Sequence, residues 1–493
     1  MADMETFNHF INGEAVEPAS GEYIDTDNPY TGEIWGQIAR GTAADVDQAA
    51  AAASAAFEGW KETSPTARGK LLNKLAELIE RDAEKLGQME VRDNGKLIAE
   101  MAAQAKFTAE WYRYYGGLAD KIEGSVIPLD RPGMLNYTKH EPLGVIGMIT
   151  AWNSPLLLLS WKLAAALAAG NTAVIKPSEF TSTSTLAFME LFEEAGFPPG
   201  VVNVVTGLGH ECGQAMVDHP DIVKIAFTGS DATGQRIYEG AAKNLKKVTL
   251  ELGGKSPNIV FEDAEFEAAV MGVISGIFAA TGQTCIAGSR ALVHRSIHDA
   301  FVERLVEVAG SATIGDPTSY DTHVGPVTTE PQFQKVMDYI RIAQEGGATC
   351  VLGGDVYDGP GASGTRFVQP TVFTNVTNDM RIAQEEVFGP VLSVIPFDTE
   401  EEAIAIGNDI NFGLAAGVWT QNVGRAMRVS DALNAGTVWV NTYRAVGFNS
   451  PFGGWKRSGL GRESGIEGMM EYLQTKSVWI AQESSVANPF IMR

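Results

Sequence analysis

Cysteine is nearly absent from this chain: Cys212, Cys285 and Cys350 are the three among 493 residues. An odd, scattered set gives no disulfide framework and fits a reducing, cytoplasmic compartment. Basic residues are scarce as well, 37 against 61 acids, for a formal net charge of −24. A surface of that sign repels phosphate backbones and anionic lipid, so neither nucleic acid nor a membrane surface is an expected partner. Unbroken apolar runs are missing too. The uncharged stretches 143–161 and 268–289 are interrupted by Asn153, Ser154 and Pro155 in the first, and by Thr281, Gln283 and glycines in the second. Both make poor membrane spans by transfer cost and read as buried elements of a large core. The opening residues carry acids and no apolar run, so no secretory leader is expected. No fixed-period repeat, low-complexity linker or G-x-G-x-x-G dinucleotide fingerprint occurs, and no metal site is expected.

What is present is an ordinary globular composition, 45% hydrophobic and 20% charged. At roughly 100–200 residues per domain, the length suggests two to four domains. The first forty or so residues read as short extended pieces with turns such as Asn12-Gly13. Two helices follow. One opens at the capping box Thr42-x-x-Asp45, the other at Ser64-Pro65, with Leu71, Leu72, Leu75, Leu78 and Ile79 at helical spacing. From Val145 onward, short apolar runs (145–150, 172–175, 201–205, 224–227, 247–251) alternate with helical segments (156–169, 183–195, 211–218, 234–244), Gly170 and Gly196 standing where C-caps belong. That alternation predicts a parallel sheet covered on both faces. A second series starts after Gly253-Gly254, with strands at 258–261, 291–294, 391–396, 415–419 and 437–441 and helices at 264–280, 298–309, 400–408 and 423–433. The expected class is therefore α/β, with a domain boundary near residue 254.

In open α/β sheets, ligands bind beyond the carboxyl ends of the strands. Here those ends run into Trp152-Asn153, Lys176-Pro177-Ser178-Glu179, Thr228-Gly229-Ser230 and Glu251-Leu252-Gly253-Gly254. An amide, an ammonium, a Gly/Ser turn and a carboxylate thus arrive at one edge. Gly229-Ser230-x-x-x-Gly234 precedes a helix whose free N–H groups suit a pyrophosphate, although an ordinary strand–helix turn fits the pattern equally well. Lys176 and Glu179 could bond ribose hydroxyls, or form a solvated pair. Gly207-x-Gly209 reads as a turn. A lone cysteine is usually a small buried hydrophobe, which is the reading for Cys212 and Cys350. Cys285 differs in lying in a glycine-rich break after an apolar helix.

With these residues the chain resembles the aldehyde dehydrogenase superfamily along essentially its whole length. The carriers are Trp152-Asn153-x-Pro155, Lys176-Pro177-Ser178-Glu179, Phe227-Thr228-Gly229-Ser230, Glu251-Leu252-Gly253-Gly254-Lys255, Gly282-Gln283-x-Cys285, Glu386-x-Phe388-Gly389-Pro390 and Pro451-Phe452-Gly453-Gly454. The separation of Glu251 from Cys285 matches the hydrolytic members. The resemblance implies oxidation of an aldehyde to a carboxylate with NAD, NADP being possible, through a thioester on Cys285. Asn153 and the Cys285 N–H would hold the oxyanion, and Glu251 would activate the hydrolytic water. Lys162 and Glu463 match a proton-relay pair, or a structural salt bridge. For the cofactor, Lys176 and Glu179 match adenosine-ribose contacts, Ser230 the pyrophosphate contact, and Glu386 the nicotinamide-ribose contact with Phe388 beside it. Ile149, Thr150, Trp152, Ser178, Gly209, Gly213, Phe227, Gly229 and Leu252 complete the implied cofactor set. Glu179 would repel a 2′-phosphate and so favour NAD.

The implied substrate lining is Trp161, Leu158, Thr284, Ile286, Arg444, Val446 and Phe452. Ser154 and Val446 stand where the family often has aromatics, which counts against a quaternary-ammonium aldehyde. Arg444 could bind a distal carboxylate, or be a surface arginine. The implied fold is a five-stranded parallel Rossmann-like cofactor domain (1–120 and 143–253), a second α/β catalytic domain (254–457) and a small β oligomerisation arm with the C-terminal segment (121–142 and 458–493). In it, an arm at 121–141 pairs with the C-terminal strand 475–481 of a partner subunit, giving a homodimer or homotetramer. Two competitors remain. A CoA-acylating semialdehyde dehydrogenase shares the thiol but typically lacks the carboxylate at Glu251. A non-catalytic structural or ligand-binding member would not need Cys285 or Asn153.

Overall fold

A computed structural model describes residues 4–364, 366–482, 488, 490 and 491. Parts of the first predicted domain (1–3) and of the predicted C-terminal segment (483–487, 489, 492–493) lie outside the described residues.

Two sheets organise the chain. The first has eight strands in the spatial order Gly459–Leu460, Lys247–Glu251, Ile222–Thr228, Val145–Ile149, Thr172–Lys176, Val202–Val204, His9–Ile11, Glu14–Val16. Its central five are parallel, as the apolar runs predict, and Val145–Ile149 and Thr172–Lys176 are buried along their full length. A strand that buries both faces has no use for polar alternation, which is why these segments read as continuous Val/Ile runs. The three added strands are antiparallel. Two form an N-terminal hairpin whose turn, Asn12 (φ 56°) and Gly13 (φ 80°), needs the left-handed conformations that Asn-Gly tolerates. The third, Gly459–Leu460, belongs to the segment that the sequence reading grouped with the C-terminus. Strand order runs outward in both directions from Val145–Ile149, so the crevice of the sheet opens at its carboxyl end.

The second sheet runs Thr349–Leu352, Thr371–Thr374, Val391–Phe397, Arg290–His294, Pro257–Val260, Ala415–Trp419, Thr437–Val440 and is parallel except for its first strand. Its first two strands, and the helix Glu330–Glu345 before them, escaped the sequence reading.

Three helices, not two, follow the N-terminal strands: Ala43–Glu62, Pro65–Asn94 and Ile98–Leu118. Asp45 accepts from the Thr42 backbone N–H at 2.7 Å, and Ser64 accepts from the Ala67 N–H at 3.3 Å, so both predicted starts are observed. The third helix begins after Leu97, which offers no side-chain cap, and therefore leaves no start signal in the sequence. The helix Pro155–Ala168 is buried on every face. That is the state expected of a helix apolar all round, and none of the described helices is long and apolar enough to cross a membrane.

The expected pairing of the arm with a partner's C-terminal strand is corrected. Met134–Pro142 pairs antiparallel with Leu473–Ala481 of the same chain in unbroken register, from Leu473 opposite Pro142 to Ala481 opposite Met134. Nine consecutive pairs within one chain leave that strand no second partner on this side. Cys212 is buried as expected, whereas Cys350 is partly exposed.

Candidate active site

The carboxyl end of Val145–Ile149 delivers Trp152 and Asn153, and Ser154 then precedes the helix Pro155–Ala168. The carboxylate of Glu90 accepts from the Leu156 N–H at 3.0 Å and so caps that helix from outside. Lys162 lies further along the same helix, fully buried, and its ammonium bonds the carboxylate of Glu463.

Cys285 is positioned by a break. The helix Phe266–Phe278 gives way to a tight turn in which Ala280 (φ 56°), Thr281 (φ 54°) and Gly282 (φ 69°) are all left-handed. A Cβ on Gly282 would stand 2.0 Å from the Gly389 carbonyl oxygen, so no other residue fits. The next side chain, Gln283, is pinned in the interior: its amide donates to Pro326 O at 3.3 Å and its carbonyl accepts from the Thr328 N–H at 2.9 Å. Its backbone carbonyl accepts from Asn153 Nδ2 at 3.0 Å, which brings the amide to the cysteine segment. The Tyr443 hydroxyl donates to Ile286 O at 3.0 Å and steadies the far side of the same loop.

Glu251 ends its strand in a buried position, and neither carboxylate oxygen has a hydrogen-bond partner among the described residues. Burial, and then the nearby Glu463, raise its carboxyl well above the ordinary range. Burial likewise raises Glu463, against the pull of Lys162. Burial, reinforced by Glu251 and Glu386, pushes the Cys285 thiol up to about 12. Burial thus disfavours both the thiolate of Cys285 and the carboxylate of Glu251.

Asn153, Glu251 and Cys285 line one cleft of about 570 Å³ together with Ser230, Glu386 and Phe388. Trp152, Leu158, Gly229 and Leu252 are also in its wall, as are Gln332 and Lys335, which the sequence reading missed along with their helix. Gln332 donates to the carbonyls of Val387 (2.8 Å) and Phe388 (3.0 Å) and so holds that loop. Phe388, itself left-handed (φ 58°), meets Trp152 edge to face at 5.3 Å.

The cleft suits a dinucleotide. Ser230 N-caps the helix Asp231–Ala242, accepting from the Thr233 N–H at 3.3 Å. Gly234 lets that helix close on Leu252: a Cβ there would be 2.6 Å from Leu252 Cδ2. A Cβ on Gly229 would meet the Phe227 ring at 2.4 Å, so a larger residue there requires that ring to move. Glu386 accepts from the Gly254 N–H at 2.9 Å, and burial raises its carboxyl, leaving a carboxyl ready for a hydroxyl donor. Buried hydroxyls of Thr150 and Thr228 lack partners among the described residues. One strand over, Lys176 donates to Pro177 O (2.7 Å) and to Glu179 (3.3 Å), with Ser178 buried between them. Gly213 lies against that lysine, 3.5 Å from its Cδ to a built Cβ, and Gly209 opens the single π-turn Gly209–Gly213. Of the expected cofactor residues, Ile149, Thr150, Phe227, Lys176, Ser178, Glu179, Gly209 and Gly213 are not in the wall of the cleft.

Beyond the sulfur lies an aromatic cluster. Trp161 stacks on Trp111 at 5.7 Å and meets Phe452 edge to face at 5.0 Å. Trp111, Tyr114 and Phe448 were not foreseen; Phe448 packs on both of the others, at 6.2 and 5.5 Å. Val446 and Ile286 pack against or within the same core, and Thr284 adjoins the cysteine. Arg444 is neither free nor a simple surface arginine. Left-handed at φ 65°, it donates to Glu100 at 2.8 Å, with both side chains largely buried.

Comparison with known proteins agrees with this geometry. A family model described as "Aldehyde dehydrogenase family" matches residues 15–478. An aldehyde dehydrogenase of Emericella nidulans is 49% identical over 471 residues, covering 95% of this chain and 94% of that one. Among solved structures, PnpE from Pseudomonas sp. WBC-3 in complex with nicotinamide adenine dinucleotide superposes with a TM-score of 0.96 at 47% identity, over 98% of this chain and 99% of that one. Betaine aldehyde dehydrogenase from Staphylococcus aureus in complex with NAD+ gives a TM-score of 0.97 at 40% identity, over 98% and 97% of the two chains.

Proposed function

The chain belongs to the aldehyde dehydrogenase family, and from that premise we propose that this cleft oxidises an aldehyde to its carboxylic acid with NAD, through a thioester on Cys285. The observation that carries the reading is the meeting, in one cleft, of a cysteine, an amide and a buried carboxylate contributed by three distant segments. Cys285 adds as thiolate to the carbonyl carbon. One N–H of Asn153 Nδ2 and the Cys285 backbone N–H hold the oxyanion, each donor of this kind contributing about 3–4 kcal/mol. NAD, when bound, supplies the hydride acceptor that turns the thiohemiacetal into a thioester. Ser230 and the helix N-terminus would hold its pyrophosphate, Lys176 and Glu179 its adenosine ribose, and Glu386 its nicotinamide ribose. Glu251 then takes a proton from water, the oxygen of that water bonds the thioester carbon, and the C–S bond breaks to release the carboxylic acid and the Cys285 thiolate, while Glu463 with Lys162 carries the proton away.

Glu179 supports NAD over NADP, because a 2′-phosphate would meet its charge. The carboxylate at Glu251 supports hydrolysis over transfer to CoA. The pairing of Arg444 with Glu100 weakens the idea that Arg444 receives a substrate carboxylate. Trp161, Phe452, Trp111 and Phe448 favour an apolar aldehyde chain. The two sheets support a division near 254 and the in-chain pairing supports an arm at 121–142, whereas Gly459–Leu460 joins the first sheet instead of the arm.

A homo-oligomer is supported by two open sheet edges, Leu473–Ala481 and Thr437–Val440, and by exposed Val423, Met427, Trp479 and Ile480 nearby in sequence. The scarcity of cysteine supports a cytoplasmic location.

The test is an aldehyde panel spanning aliphatic, aromatic and carboxylated types, with NAD and NADP in parallel, with and without CoA. We expect NADH formation without CoA and its loss in Cys285→Ser. Strict CoA dependence, or undiminished turnover by Cys285→Ser, would overturn the reading.

A further inference from the structure

The oxyanion amide and the sulfur come from segments far apart in the chain, yet their spacing must be held to a fraction of an ångström. A closed ring of buried hydrogen bonds runs around them. Asn153 Nδ2 donates to Gln283 O at 3.0 Å. Gln283 Oε1 accepts from the Thr328 N–H at 2.9 Å, and the Thr328 hydroxyl donates to Asn94 O at 2.5 Å. Asn94 Oδ1 accepts from the Lys96 N–H at 2.8 Å. Lys96 Nζ donates to Ser154 Oγ at 3.3 Å, and Ser154 follows Asn153 directly, so the ring closes. Every member is buried, Ser154 being the most exposed at 7%.

We propose that this ring fixes the Asn153 amide relative to Cys285, with Lys96 and Gln283 as its positioning residues. The proposal rests on reading Asn153 as the oxyanion donor. A carboxamide NH2 has two N–H donors. The Gln283 carbonyl takes one, which fixes the amide plane and leaves the other for the oxyanion. The same Gln283 stands two residues before Cys285, so any shift of the cysteine loop carries the amide with it. Lys96 braces the opposite side, through Ser154, where the strand turns into the helix. Its ammonium is deeply buried and lies 3.6 Å from Glu100, which is itself held by Arg444 at 2.8 Å. A buried cation held by one carboxylate, Glu100, and one hydroxyl, Ser154, is costly to desolvate, and the catalytic steps above leave it unused.

The test is a double-mutant comparison on the full-length enzyme. Lys96→Met keeps the stem and removes the charge; Ser154→Ala removes the acceptor and is milder. Each is made in the native background and in Asn153→Ala. Single-turnover NADH formation, the aldehyde KM, NAD affinity and the unfolding midpoint are measured. Misplacing one preorganised donor predicts that Lys96→Met slows the single-turnover step about tenfold or more, and Ser154→Ala about threefold, with NAD affinity within about twofold of native. Lys96→Arg restores part of the loss. In Asn153→Ala, where the amide is gone, neither change slows the step further. Equal fold-losses in both backgrounds, or native single-turnover rates in both variants, overturn the ring. Should Lys96→Met fail to fold, Ser154→Ala decides the matter alone. A native rate in Asn153→Ala itself overturns the oxyanion reading on which the ring depends, and is told apart because it needs no second mutation.

Discussion

Glu251→Gln should make Cys285 more reactive, although it removes a residue placed at the centre of the chemistry. The thiol is pushed from 9.0 up to about 12, by burial first and then by the charges of Glu251 and Glu386. That displacement amounts to roughly 4 kcal/mol against the thiolate. A glutamine of the same shape leaves the burial untouched and removes one of the two charges, so only part is recovered. Recovery of about one of those pKa units corresponds to about tenfold in thiolate. Glu251 is itself raised well above the ordinary carboxylate range. It is therefore neutral at low pH and exerts its repulsion only once it ionises. The two proteins should be alkylated by iodoacetamide at the same rate where Glu251 is protonated, and diverge toward about tenfold as the pH rises and it ionises. The assay follows the Cys285 peptide by mass spectrometry in cofactor-free enzyme. Cys212, which burial pushes up to about 11, serves as the internal reference. Slower alkylation of the variant at high pH would refute the reasoning, because it would mean that the carboxylate accepts the thiol's proton instead of repelling the thiolate.

Three further outcomes are expected. Glu463→Gln removes a charge that raises Glu251, so the acid limb of the kcat–pH profile should move to lower pH; an unmoved limb disconnects the two carboxylates. Glu90 is raised from 4.5 to about 7, chiefly by burial. A folded-state value above the unfolded one makes its contribution full below the unfolded pKa and lost as pH rises through about 7, a swing of about 3 kcal/mol. Glu90→Gln keeps a neutral acceptor for the Leu156 N–H, so its urea midpoint should fall less than the native protein's between about pH 5 and pH 8; parallel falls would contradict this. Gly282→Ala forces a Cβ to 2.0 Å from a backbone oxygen at a left-handed position, and should cost about 3 kcal/mol or more, or abolish soluble expression, whereas a native midpoint would show the turn to be pliant.

How far the sequence could be read follows from where each signal lies. The strands Val145–Ile149 and Thr172–Lys176 and the helix Thr183–Ala195 announce themselves because burial on both faces, or a glycine cap at Gly196, writes its requirement into adjacent residues. The helix Ile98–Leu118 does not, since its start carries no cap and its packing is set by the helix before it. The same divide runs through the site. Cys285, Glu251 and Asn153 stand out by residue type within short motifs. Their partners do not: Asn153 bonds Gln283, 130 positions away, Lys162 bonds Glu463, 301 away, and Arg444 bonds Glu100, 344 away. The Arg444 case shows what this costs. A lone arginine in a loop offers a carboxylate site to any reader of the sequence, yet its charge is already met by a helix from the other end of the chain. Phe448 makes the complementary point: two residues after Val446, in the loop that turns left-handed at Arg444, its ring packs on Trp111, a contact that no motif announces. Motif spacing therefore marks the groups proposed to react, whereas charge balance and pocket lining belong to contacts that only the folded chain creates.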